Sequence, residues 1–323
     1  MKKFIKIFVL LILPLCSSWA QRKSDFSIME ESIAALHGSM LVEPSAEIRY
    51  QKNEELLRLL EETLTMKNSF NYKFDSLKTI SVLTSPDKKV RIFTWYVLDK
   101  DNNCDCFGFL QAYSEHQNRY LLYPLIDKSK KIPNPAIQPL SHSSWFGAIY
   151  SQILETKTSA HTYYTLLGWN GGDQFTQYKV IDVLSLNARG LPTFGATIFR
   201  KYSKTKYYRI IFEYAKGARL HMYYGKEYYA KRSEKKNKKT NRYTYDTIPM
   251  DMIIFNELIP LDESLAKVPQ YYVPESSLNS AFIEKDGFWE FKKGVIGKNK
   301  NTMPTPPANK EKNKPRIFYK PEQ

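Results

Sequence analysis

Val90-Arg91-Ile92-Phe93-Thr94-Trp95-Tyr96-Val97-Leu98, closed by Asp99-Lys100-Asp101-Asn102-Asn103 and followed by Cys106-Phe107-Gly108-Phe109-Leu110-Gln111-Ala112-Tyr113, reads as two strands around a polar turn. β-Branched and aromatic residues fill both runs, and such side chains suit a pleated, half-buried surface. Similar runs lie at 77–84 and 119–126, and Ser85-Pro86-Asp87-Lys88 supplies another short polar connection. Connections this short are too brief for crossover helices, so sequential antiparallel pairing, a meander, is the expected topology.

Working outward, the chain keeps the strand period at 163–169, 178–186, 193–199, 207–214, 220–224 and 252–258, with Gly171-Gly172, Ala188-Arg189-Gly190 and Lys216-Gly217 as turns. Upstream, residues 21–76 read as helical. Ser27 to Glu30 has capping-box spacing, Met29, Ile33, Leu36 and Met40 recur at helical intervals, and Gly38 marks an interruption or end. A second helix follows Pro44-Ser45, with an apolar stripe at Leu56, Leu57, Leu60 and Leu64. Trp145, Phe146, Ile149, Tyr150, Ile153 and Leu154 predict a further, buried helix, for which Ser143 or Ser144 is the N-cap. The expected fold class is therefore α+β: N-terminal helices packed on a large, mostly antiparallel β-sheet, with a partial barrel or propeller-like arrangement as the alternative. The β-rich body spans 77–291, and the Pro-containing loop at 128–140 is a candidate boundary between two subdomains.

Residues 1–20 predict export. Lys2, Lys3 and Lys6 precede an apolar run from Ile7 to Leu15, and Ser18-Trp19-Ala20 offers small residues for cleavage, the anatomy of a signal peptide. Leu15 is too bulky for the residue before a lipidated cysteine, so Cys16 is expected to leave with the leader. A secreted or periplasmic location without a transmembrane segment follows as the expectation. The formal net charge of +15 suggests a nucleic-acid partner until its distribution is considered. Residues 231–242 carry seven Lys/Arg against one Glu, and 292–323 carry nine against two, so without the leader the rest of the chain is near neutral. Basicity belongs to one loop and one tail. A weak polyanion contact through both is expected, and specific nucleic-acid recognition is not. The tail, 292–323, lacks apolar content and is predicted to be disordered.

Leu166-Leu167-Gly168-Trp169-Asn170-Gly171-Gly172-Asp173, then Lys179-Val180-Ile181-Asp182-Val183-Leu184, Pro192-Thr193-Phe194-Gly195 and Ile211-Phe212-Glu213-Tyr214, resemble the C-terminal half of uncharacterised secreted proteins of the Bacteroidota, over roughly 140–292. The resemblance implies export and a β-rich body; it carries no activity and no site residue.

The chemistry-bearing residues point to binding more than to catalysis. Asp99, Asp101, Asn103 and Asp105 alternate like the first ligands of a calcium loop, but Cys104 stands where that loop needs Gly and Leu110 where it needs a bidentate Glu. The five histidines show no helical zinc-binding pair. Ser141, His142, Ser143 and Ser144 cluster without a nucleophile elbow, and Asp182 sits in an apolar strand where backbone or a neighbouring Tyr is its expected partner. No catalytic, metal or cofactor set is assigned. Candidate binding residues are the aromatics Tyr163, Tyr164 and Trp169, which can stack on sugar rings, Asn170 and Asp173 at the Gly-Gly turn, and the cationic Lys235, Lys236, Lys238 and Lys239. Cys104 and Cys106 fall on one face of a strand as a candidate disulfide, with two packed thiols as the simpler reading. The expected function is an exported, non-catalytic envelope or secreted protein with a binding or structural role toward a glycan, peptide or protein. An exported hydrolase of glycan or peptide is the alternative.

Overall fold

The computed structural model describes residues 25–236, 239–241 and 243–295; the predicted leader and the tail beyond 295 lie outside them. Among the described residues two α-helices, α1 (Asp25–Leu41) and α2 (Ala46–Thr65), are followed by fifteen strands. These are β1 (Ser81–Thr84), β2 (Val90–Leu98), β3 (Cys104–Ser114), β4 (Arg119–Ile126), β5 (Leu140–Ser141), β6 (Ile149–Lys157), β7 (Thr162–Asn170) and β8 (Thr176–Leu186). The remainder are β9 (Pro192–Phe194), β10 (Phe199–Arg200), β11 (Ile210–Ala215), β12 (Met222–Lys236), β13 (Tyr243–Pro260), β14 (Tyr272–Lys285) and β15 (Phe288–Val295).

The fold is α+β, and among the described residues the β-structure is divided among three sheets, with no closed barrel. The first sheet is the antiparallel meander β1-β2-β3-β4. The second runs β5-β9-β8-β7-β6, with β11 pairing the N-terminal half of β8. The third is β10-β15-β14-β13-β12, in which β10 lies parallel to β15.

Two-sided burial explains the stacking. On β2, Phe93, Trp95 and Val97 pack with Ile33, Met40, Leu56 and Leu60 of the helices. Val90 and Ile92, on the other face, join Cys104, Cys106, Tyr150, Tyr164 and Leu166 in a cluster shared by the first and second sheets. The opposite face of the second sheet, including Leu167, Ile181 and Val183, meets Ile253, Phe255, Phe282 and Trp289 of the third. Each large apolar side chain so buried contributes about 1.5–3 kcal/mol relative to exposure. Helices, first sheet, second sheet and third sheet thus form successive layers, and the loop 128–139 connects two sheets that share one core.

Several local expectations are corrected. Gly38 lies inside α1, which starts at Asp25, whereas the second helix follows Pro44-Ser45 as expected, with Ser45 as its N-cap accepting from the Ile48 amide at 3.4 Å. The predicted helix at 145–154 is instead an irregular aromatic stretch leading into β6. A register shift between Tyr150 and Gln152 resets the strand alternation there, and that reset imitates helical spacing. Strands β14 and β15 were not expected; bulges between Asn256 and Glu257 and between Asn279 and Ser280 break the two-residue period. Residues 292–295, assigned to the disordered tail, complete β15, where Lys292 pairs with Glu290 and Lys293 with Glu257.

Buried His37 gives a pH-dependent stability. Its Nδ1 meets Thr79 Oγ1 at 2.7 Å and its Nε2 has no hydrogen-bond partner among the described residues. Burial lowers its pKa from 6.5 to about 4. The folded state therefore holds it neutral, so its contribution is complete above pH 6.5 and is lost as pH falls toward 4. Protonation removes about 2–3 kcal/mol. Denaturant titrations at pH 7 and pH 4.5 should show that drop shrinking by about 2 kcal/mol in His37→Gln; an identical drop in the variant would refute the assignment.

Candidate functional site

The cavity that gathers the most varied chemistry is a cleft of about 550 Å³ between the loop after β4 and one end of the second sheet. Phe146, Tyr178 and Tyr207 line it together with Asn134, Asp173 and Glu213. Phe146 and Tyr178 meet edge to face with ring centroids 6.0 Å apart, a favoured aromatic geometry. The Tyr178 hydroxyl donates to Glu213 Oε1 at 3.2 Å across the β8–β11 pair, and burial, reinforced by that carboxylate, raises its pKa.

The turn between β7 and β8 forms one wall. Asn170 Oδ1 accepts from the Gly172 amide at 2.7 Å, while its Nδ2 donates to the Gly147 carbonyl at 2.6 Å. Asp173 Oδ1 accepts from the Phe175 and Thr176 amides at 2.7 and 2.8 Å. Gly172 has φ +62°, and a Cβ there would fall 2.2 Å from the Thr176 carbonyl oxygen, so the tight turn requires glycine.

Asp182 and Arg209, both fully buried, hold the facing wall. Arg209 Nε donates to Asp182 Oδ1 at 3.0 Å, Nη2 to the Phe194 carbonyl at 3.0 Å, and Nη1 to the carbonyls of Gln138, at 3.1 Å, and Pro135. The guanidinium thereby fastens loop 133–138 to the second sheet. Asp182 also accepts from its neighbour's amide, Val183, at 2.9 Å and from Tyr150 at 3.3 Å, so the expected backbone and Tyr partners are present. Arg209 was the partner not anticipated. Sequence gives it no signal beyond a single cation before an apolar strand, because its 27-residue separation from Asp182 is closed only by the β8–β11 pairing.

Cys104 lines this cleft and Cys106 a neighbouring cavity beside residues 124–131; both are buried in the shared core, and both are free thiols. A hydrogen bond with Cys106 lowers the Cys104 pKa, and the same bond together with burial pushes Cys106 well up.

The predicted binding residues do not form one site. Asn170 and Asp173 line this cleft. Tyr163 and Tyr164 lie at the opposite end of β7, beside a second cleft of about 760 Å³. There Tyr164 is buried and donates to Asp87 Oδ2 at 2.8 Å, and half-buried Tyr163 packs in the core between the second and third sheets. Trp169 packs edge to face on Tyr96 at 5.6 Å and donates to Gln177 at 2.8 Å. These three aromatics are thus engaged in packing. Lys235 and Lys236 end β12 in the third sheet, Lys239 is exposed in the following turn, and Lys238 lies outside the described residues. Lys236 places its Nζ 5.5 Å from the Tyr243 ring centre.

In the Ser141–Ser144 cluster, Ser141 Oγ lies 3.0 Å from Ser143 Oγ, while His142 Nδ1 lies 3.1 Å from the Pro124 carbonyl. Asp99 Oδ1 accepts from the Asp101 and Asn103 amides at 2.8 Å, and Asp105 accepts from Tyr50 and from Lys130. Among the described residues no group of three or more His, Cys, Asp or Glu is placed to hold a metal ion, and no helix is long and apolar enough to cross a membrane. Comparisons with protein-family models, curated proteins and solved structures find no match to this chain.

Proposed function

We propose that this is an exported binding protein of the periplasm or extracellular space, related to the secreted Bacteroidota proteins it resembles, with a glycan or peptide segment seated in the 550 Å³ cleft. The observation that carries the reading is the joint presence of Phe146, Tyr178 and Tyr207 with Asn134, Asp173 and Glu213 around one concavity. Aromatic faces can stack on pyranose rings or peptide side chains, and amide and carboxylate oxygens can fix their polar edges. The leader-like segment 1–20 supports export. Segment 231–242 and the basic tail add a salt-sensitive contact with polyanionic envelope material.

Calorimetric titration with defined envelope oligosaccharides and peptides tests the reading. Tyr207→Ala should weaken the best binder about tenfold, the scale of one lost aromatic contact. Absence of binding across both sets, or equal affinity in the variant, would refute the cleft assignment. A second reading, hydrolysis of the same ligand class, draws support from two carboxylates, Asp173 and Glu213, lining one cleft. It requires turnover that Glu213→Gln abolishes while binding persists.

A further inference from the structure

We propose that Cys104 and Cys106 form a redox-modification site beside the cleft, oxidised by a low-molecular-weight disulfide to an intramolecular disulfide that displaces the cleft walls at 127–132 and 170–173. The inference rests on how the two residues are tied to those walls. The Cys104 amide donates to the Gly172 carbonyl at 2.8 Å. The Cys106 amide donates to Asp127 Oδ2 at 3.0 Å. Asp127 Oδ1 in turn receives the Ser129 and Gly147 amides at 2.8 and 3.1 Å, and the Gly147 carbonyl receives Asn170. Both cysteine amides thus belong to the network that shapes the cleft.

Cys104 and Cys106 are buried on the same face of β3, in one core cluster, and their backbone is extended. Cα atoms two residues apart in a strand are separated by about 6.6 Å, near the upper limit for a disulfide, so bridging draws the strand into a local bend. That bend must pull on Gly172 or on Asp127. Crowding adds to the effect: a Cβ on Gly171 would already lie 3.0 Å from Cys104 Sγ. Lys216, whose Nζ donates to the Gly171 carbonyl at 2.5 Å, ties β11 to the same turn.

The chemistry divides between the two sulfurs. Cys104 lines the cleft and attacks as thiolate, forming a mixed disulfide and expelling one oxidant thiolate, which takes up the Cys104 proton. Cys106 then attacks Cys104 Sγ, expels the second oxidant thiolate and passes it the Cys106 proton. One protein S–S bond forms, one oxidant S–S bond breaks, and two electrons pass to the oxidant.

The test uses the full chain with bis(2-hydroxyethyl) disulfide, small enough to enter the cleft, and reads the cysteines without any ligand. After alkylation and trypsin cleavage at Lys100 and Arg119, the peptide 101–119 should be unalkylated and lighter by two hydrogens. Cys106→Ser should stop at the mixed disulfide on Cys104, and Cys104→Ser should show no intramolecular bridge. Amide exchange in 127–132 and 170–173 should accelerate several-fold on oxidation. Peptide 101–119 that stays doubly alkylated in excess oxidant overturns the redox site. A disulfide that forms with unchanged exchange in both segments overturns its coupling to the cleft.

Discussion

Arg209→Met lowers stability by about 3–5 kcal/mol, because it leaves the Asp182 carboxylate buried without its counter-charge. Three loop and strand carbonyls, those of Pro135, Gln138 and Phe194, lose their donors at the same time. Chemical denaturation measures the loss, and a variant within about 1 kcal/mol of wild type would show that the pair is not structurally required. The double variant Arg209→Met with Asp182→Leu should recover part of the deficit, since it removes the orphaned charge but not the orphaned carbonyls. Amide exchange should rise in 133–138 in both variants, because Arg209 is what fastens that wall of the cleft to β8 and β9.

Gln111→Leu costs about 3 kcal/mol, on the scale of hydrogen bonds to a buried charged group. Gln111 Oε1 accepts from Arg91 Nε and Nη2 at 3.0 and 2.8 Å, and its Nε2 donates to the Leu64 carbonyl at 3.0 Å in the last turn of α2. Arg91 is buried among the rings of Phe70, Phe74 and Phe93, 4.9–5.2 Å from their centres, and donates also to the Ser69 and Tyr72 carbonyls. Its partners are neutral, and burial lowers its pKa to about 10. Removing Gln111 therefore leaves a guanidinium that still carries its charge at neutral pH but has lost two hydrogen bonds. Combining Gln111→Leu with Arg91→Met should be less destabilising than Gln111→Leu alone. If the single variant unfolds at the wild-type denaturant midpoint, this polar junction between helix and sheet contributes nothing net.

The same two polar centres show where sequence reading stops. Strands β2 and β4 match their expected bounds because their residues and turns are local signals, read over a few positions. β6 was mistaken for a helix because one bulge changes the side on which every later residue falls. The long β12–β13 hairpin was expected only at 220–224 and 252–258, since its polar outer part, Lys226↔Asp251 to Lys236↔Tyr243, is specified by backbone pairing more than by apolar alternation. At the cleft, Asn170 and Asp173 were legible because a Gly-Gly turn advertises itself locally. Glu213, Tyr178, Phe146 and Arg209 were not, because each becomes a cleft residue only once β8, β11 and the 128–139 loop are assembled.

The sequence by itself determined an α+β chain, with two amphipathic N-terminal helices and antiparallel strands joined by polar turns, because periodicity and turn chemistry act over neighbouring residues. Only the tertiary structure decided that the strands form three stacked sheets, that Asp182 is neutralised by Arg209, and that Cys104 and Cys106 are buried together in the core beside the cleft. Those outcomes depend on which two apolar faces meet and on pairings between residues far apart in the chain, and no local pattern encodes either.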